Sequence, residues 1–376
     1  MPTEEQIVSR KVVFPHLDGL RFLCFFAVFL FHAFYTDSAG IARSGAYRAV
    51  RSLFHHGDLG VNFFFVLSGF LITYLLLEEK RRWGRIHVGY FYLRRMLRIW
   101  PLYFACLAFG FLAFPVLKRL SGLEPNETAD PIMYLFFLGN FDVIRHGLPD
   151  AGVLGVLWSV AVEEQFYLAW PLLLAAVRTG RELWILIAVL LGSILFRSAQ
   201  TDSDVLTFHT MGLVGDMAVG GLAAYAVIQF PPFQNWIASL RVAAISVLYG
   251  AAAVLCFSNA GSFFYPFDRL VPALVFAFII LEQNYAVSSL FKMGSSPLLT
   301  HLGQQTYGMY CLHMVGNVAA LQLARFLGIG DRIWHVLLLV PAVSLGITLL
   351  MSGFSYRFFE KPFLHLKARF QFIARG

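Results

Sequence analysis

Apolar runs close to the roughly 18–20 residues that cross a hydrocarbon core recur along the whole chain. Helices patterned in this way cannot be solvated all round, so they have to be placed in a bilayer. Composition agrees: of 376 residues, 58% are hydrophobic and 14% charged, against about 25% charged in soluble domains. The expected fold is all-α, a polytopic membrane protein with about ten transmembrane helices. They are expected near 19–36, 59–78, 98–115, 158–177, 183–197, 211–229, 241–257, 268–283, 305–326 and 333–354. The stretch PIMYLFFLGNF at 131–141 is too short to cross and is expected to be re-entrant or interfacial.

The net charge of +7 does not point to nucleic acid, because the basic residues sit in short loops beside apolar runs. That placement is the topological bias of membrane proteins, and membrane lipid or an anionic ligand is the expected partner. One set of loops holds Arg10, Lys11, Arg94, Arg95, Arg178, Arg181, Arg241, Lys292 and the tail with Arg357, Lys361, Lys367, Arg369 and Arg375. The opposite set is poorer, although it carries Arg43, Arg48, Arg51, Lys118 and Arg119. Both termini are therefore expected in the cytoplasm. Residues 1–14 read as an N-terminal segment, 15–363 as one membrane domain and 364–376 as a basic tail. The polar start MPTEEQIVSRKVVFPHLDG lacks the apolar core of a cleavable signal, so the first helix is expected to stay in the membrane. Cys24, Cys106, Cys256 and Cys311 lie in apolar runs without a CxxC pair, so neither a disulfide framework nor a metal site is expected.

Ionisable groups inside hydrocarbon are costly, and each needs a partner or a wet cavity. In GLRFLCFFAVFLFH, Arg21 and His32 are eleven residues apart, nearly eclipsed on a helix and about 16 Å apart along one face. A snorkelling arginine and a core histidine bonded to a carbonyl fit this pair as well as a functional one. In GVNFFFVLSGFLI, Gly60, Ser68 and Gly69 suit close helix packing, whereas the amide of Asn62 needs partners if buried. In FYLRRMLRIWPLYF, Arg95 and Arg98 stand at i and i+3, suited either to anchoring or to gripping a phosphorylated ligand. LWSVAVEEQFYLAWP carries Trp158 and places Glu163 and Glu164 about 9–11 Å inside a span, level with His32. A carboxylate on one imidazole nitrogen makes the other a better base, and at most one glutamate can face His32 squarely. The second glutamate is free to pair with an arginine or with Gln165. In QQTYGMYCLHMV, Tyr307, Tyr310 and His313 share a broad face, as aromatic packing or as a cavity wall.

These motifs, with FEKPF near the end, resemble the bacterial membrane acyltransferase-3 family over residues 15–363. The resemblance implies a ten-helix enzyme that takes an acyl group, usually acetyl, from cytoplasmic acyl-CoA as co-substrate, with no permanently bound cofactor. The acceptor class it implies is a hydroxyl on a glycan, a lipid-linked sugar or a small glycoside. By resemblance His32 is the catalytic histidine, Arg21 its partner with ten residues between them, and Arg95 and Arg98 the pair that holds the CoA phosphates. Glu163 and Glu164 match the family's acidic pair. Asn62, Ser68, Trp158, Tyr307 and His313 are expected to line the substrate site. Asn62 departs from the family's frequent aspartate, which sets aside any role that needs a charge there. No hydrolase-like domain is expected after the membrane unit, so acceptor recognition falls to that unit. The expected reaction has His32, oriented by a carboxylate, take the proton of the acceptor hydroxyl as it attacks the thioester, with a covalent acyl-histidine as the other route. The competing reading is a proton-coupled transporter exporting a polar solute, with His32, the glutamates and His313 as a relay. Against it stand the missing inverted repeat and an arginine pair that asks for phosphate.

Overall fold

The computed structural model describes residues 14–258, 265–329, 332–368 and 370. Arg10, Lys11, Arg369 and Arg375 of the charge pattern lie outside the described residues. Every described element is helical. Each of the ten apolar runs is a helix: α1 (Leu17–Ala33), α2 (Leu59–Trp83), α3 (Val88–Leu120), α4 (Leu157–Ala176) and α5 (Glu182–Ser198) in the first half. α6 (Thr210–Gln229), α7 (Val242–Phe257), α8 (Leu270–Tyr285), α9 (Thr306–Phe326) and α10 (His335–Lys367) follow.

By length and apolarity alone, four of the described helices can cross a membrane, within α2, α3, the run that ends in α6, and α10. A fifth is formed if the short helix Pro231–Ala238 and α7, bent by 91°, count as one broken span. The others fall short for two physical reasons. α1, α5 and α8 have 16 or 17 residues, about 24–26 Å of helix against a core of about 30 Å. α4 and α9 are long enough but carry the polar groups that build the site. The 131–141 stretch folds as two short helices, Pro131–Leu135 and Gly139–His146, joined through Phe137 at a positive φ of 56°.

Small residues set the tightest crossing. A Cβ on Gly69 of α2 would lie 2.0 Å from the Met217 carbonyl oxygen, and one on Gly220 of α6 would lie 1.9 Å from that of Val66. Backbone therefore meets backbone at both positions, the close approach that small residues permit between membrane helices. At this contact Val66, Phe70 and Val219 pack with α8 in one apolar cluster, and buried side chains from α1 to α4 and α9 form another, with Phe25, Phe65, Tyr103 and Trp170 almost fully enclosed. α3 contains one π-helical stretch, Phe109–Ala113, and α10 contains two, His335–Leu339 and Ser355–Glu360, and such bulges recur at functional sites.

Candidate active site

α1, α3 and α9 each contribute one half to a first cavity and the other half to a second. Arg21, Arg95, Arg98, Tyr307 and Tyr310 line the first, and His32, Phe109, Lys118, Met314 and Arg325 line the second. The two cavities are thus stacked along the same helices, with Tyr310 and His313 near the level between them.

The arginine cavity has a volume of about 140 Å³. Arg95 is sandwiched by aromatic faces, its guanidinium 5.5 Å from the Phe91 ring centre and 5.2 Å from that of Tyr167. Its Nε is buried without a hydrogen-bond partner among the described residues. Arg21 pairs with Asp18 one turn earlier. α4 presents Ser159, Glu163 and Tyr167 to this cavity at i, i+4 and i+8, one stripe of a helix. The Ser68 hydroxyl donates to Glu163 Oε1 at 2.6 Å, and the Tyr167 hydroxyl donates to Ser68 Oγ at 3.0 Å. Ser159 and Tyr310 share a hydrogen bond of 2.7 Å, and the Tyr307 hydroxyl donates to the Ile99 carbonyl at 2.9 Å. Among the lining residues three guanidinium groups, of which Arg21 already pairs with Asp18, stand against the Glu163 carboxylate, and planar guanidinium groups suit an anion with several oxygens.

The histidine cavity is larger, about 630 Å³, with walls that are mostly apolar, including Phe109, Phe114, Leu117, Val153 and Val315. Its polar lining includes Ser121, Asn317 and Gln322 and two ion-paired cations: Lys118 Nζ lies 2.6 Å from Asp150, and Arg325 lies 2.6 Å from Asp37. Burial works to raise the Asp150 carboxyl, but hydrogen bonds from Lys118 and from the Asn126 amide hold it below the usual carboxylate range. His32 Nδ1 lies 3.0 Å from the Val28 carbonyl oxygen and 3.3 Å from His313 Nε2, and the two rings are 5.2 Å apart. His313 Nδ1 in turn lies 2.6 Å from the Tyr310 carbonyl oxygen.

Several sequence expectations change here. Arg21, Arg95, Arg98, Ser68 and Tyr307 do gather in one cavity. Among the described residues no hydrogen bond joins either glutamate to His32: Glu163 faces the arginine cavity, and Glu164 accepts the Trp100 indole N–H at 2.9 Å. The 100° between adjacent helical residues sends them to different partners, and neither to the histidine. Gln165 belongs to a third face, donating to the Phe137 carbonyl at 2.7 Å and to Asn140 at 2.8 Å. Asn62 is buried beside Asp216, which pairs with Arg269, and lines neither cavity. Trp158 packs edge-on against Phe208, with ring centres 5.1 Å apart, and also lines neither. His313 is fully buried behind His32 rather than exposed to either cavity. Sequence reasoning passed over Ser159 and Tyr167, although their spacing of four from Glu163 marks them as sharing its face.

An all-helical membrane protein with an arginine-lined cavity stacked on a histidine-lined one is the class that fold and site define. The chain belongs to the acyltransferase-domain family Acyl_transf_3, which it matches over residues 14–354, nearly its whole length. It is similar to the peptidoglycan O-acetyltransferase OatA of Listeria monocytogenes, at 27% identity over 94% of this chain and 56% of that protein. It is also similar to the putative peptidoglycan O-acetyltransferase YrhL of Bacillus subtilis, at 27% identity over 93% of this chain and 54% of that protein. A putative O-acetyltransferase of Staphylococcus aureus strain COL is 25% identical over 93% of this chain and 57% of that protein. The chain therefore spans little more than half the length of these curated relatives. No solved structure matches it.

Proposed function

We propose that this chain is an integral-membrane O-acyltransferase. In this reading it moves an acyl group, acetyl first, from cytoplasmic acyl-CoA to a hydroxyl of a carbohydrate or glycosylated acceptor. The observation that carries the reading is the pair of stacked cavities. Arg95 and Arg98 face one, His32 faces the other, and the same three helices run past both. Family membership and the O-acetyltransferase relatives support the reaction class. Ten crossings of a bacterial inner membrane, with both termini cytoplasmic, complete the scheme and put the arginines on the cytoplasmic side.

The donor's phosphates would sit against Arg98, Arg95 and Arg21, where planar guanidinium groups match phosphate oxygens. Its arm would reach past Tyr310 and Ser159 towards His32, and the acceptor would enter the histidine cavity from the other side. As the acceptor oxygen attacks the thioester carbon, His32 takes the hydroxyl proton. The C–S bond breaks, the ester forms, and the proton passes from His32 to the departing thiolate, giving free CoA. General-base help of this kind contributes about 10²–10⁴-fold.

The test is direct. Purified protein is incubated with acetyl-CoA and peptidoglycan fragments, and both free thiol and acetylated product are followed. The wild type is expected to release CoA, and His32→Ala to lose at least about 100-fold of the rate at equal folded protein. Near-normal transfer by His32→Ala would sink the scheme. A transporter would release no CoA in either case.

A further inference from the structure

We propose that His313 is a positioning residue: it holds the proton of His32 on Nδ1 and so leaves Nε2 as the bare nitrogen that serves as base. The catalytic consequence rests on the acyl-transfer reading above, whereas the proton arrangement rests on geometry alone.

A carbonyl oxygen only accepts hydrogen bonds. The Tyr310 carbonyl oxygen, 2.6 Å from His313 Nδ1, therefore requires a proton on that nitrogen. In the neutral ring Nε2 is then bare, and it faces His32 Nδ1 at 3.3 Å. The Val28 carbonyl oxygen, 3.0 Å from the same His32 nitrogen, is a second acceptor. Two acceptors converge on one nitrogen, so the His32 proton belongs on Nδ1. The opposite tautomer would set the Nδ1 lone pair against both of them. His32 Nε2 makes no hydrogen bond among the described residues, and the ring lines the larger cavity. Through the His313 ring, 281 positions from His32, the backbone of α9 thus reinforces the tautomer that the Val28 carbonyl also favours.

The arrangement replaces the carboxylate that catalytic histidines commonly lean on. His313 itself brings no negative charge to His32, which suits a base that returns its proton within the same reaction cycle. His313 is fully buried and packs edge-on against Phe25 with ring centres 6.0 Å apart, so truncation would open a void and confuse stability with chemistry.

Two polar variants separate these effects. His313→Gln places an amide oxygen near the position of Nε2, where it can accept from His32. His313→Asn reproduces the position of Nδ1 and keeps the bond to Tyr310, but offers nothing to His32. If His313 orients the base, His313→Gln keeps kcat within about 10-fold of wild type and His313→Asn loses about 100-fold, with KM for acetyl-CoA unchanged in both. Equal kcat values for the two variants would overturn the proposal. Nitrogen-15 NMR of His32 in the purified protein supplies the readout that is independent of turnover. The wild type and His313→Gln are expected to carry the proton on Nδ1, and His313→Asn to show a mixed population. A His32 tautomer unaltered in His313→Asn would also overturn the proposal. Tautomers that follow His313 in a protein that never releases CoA would uphold it, and would overturn the acyl-transfer reading instead.

Discussion

Glu163 Oε1 accepts the Ser68 hydroxyl at 2.6 Å, across 95 positions of sequence, and this bond turns the carboxylate into the cavity that holds Arg21, Arg95 and Arg98. There it opposes any anionic ligand, while the guanidinium groups attract one. Titration of the purified protein with free CoA is expected to show at least about 10-fold weaker binding for Arg98→Ala, the loss of one charge-assisted contact. Glu163→Gln is expected to bind CoA as tightly as wild type or several-fold more tightly. Weaker binding by Glu163→Gln would mean that the carboxylate holds the arginines in place rather than merely facing them.

The crossing of α2 and α6 allows no side chain at Gly69 or Gly220, where an added Cβ would fall 2.0 and 1.9 Å from a carbonyl oxygen. Backbone cannot move away as a flexible side chain can, so the helices would have to separate. Gly69→Ala and Gly220→Ala are each expected to cost several kcal/mol, a loss seen as poor yield of folded protein and a lowered Tm. Gly192→Ala in α5 is the control, since nothing lies within 4 Å of its added Cβ and helix propensity favours alanine. A stable Gly220→Ala protein would show that the two helices are not locked at this point.

Lys80 Nζ lies 2.9 Å from Glu182, and both side chains are nearly inaccessible, at 8% and 1%. The ammonium also donates to the carbonyls of Leu174 and Val177, tying α2 to the end of α4 and the start of α5. Lys80→Met leaves a buried carboxylate with no counter-charge and is expected to lose about 3–5 kcal/mol of stability. Combining it with Glu182→Gln should recover a substantial part. Thermal unfolding of the three variants in detergent checks this, and a double variant no better than Lys80→Met would refute it.

How far these features could be read from the residues depends on depth and rotation. Depth along a helix was legible for Arg21 and His32, which fall in two cavities one above the other, and for Arg95 and Arg98, which share the first. It was not legible for Glu163, expected level with His32 and found among the arginines. Rotation about the axis was legible only where spacing records it, as in Ser159, Glu163 and Tyr167. It failed for Glu164, Asn62 and Trp158, because an almost uniformly apolar helix has no polar face to fix its orientation. The pairing of His32 with His313 depends on how α1 lies against α9, which no local pattern in either helix encodes.

His16 precedes α1, outside the membrane-spanning segment, and its Nδ1 accepts the Gly294 N–H at 3.0 Å. That contact fastens the entry of the helix carrying Arg21 to the turn Met293–Ser295, one short helix ahead of α9, and it requires an unprotonated Nδ1. Partial burial and the nearby Lys292 ammonium hold His16 below its ordinary value of 6.5, with Glu282 opposing them in part. A histidine lowered on folding binds fewer protons in the folded state, so its contribution is complete above about pH 6.5 and is lost as pH falls through the folded value. Mild acidification, from roughly pH 7.5 to 5.5, is therefore expected to lower the Tm of the wild type more than that of His16→Asn. The asparagine oxygen can accept the same N–H without titrating. Parallel Tm-against-pH curves for the two proteins would show that the acid sensitivity lies elsewhere in the chain.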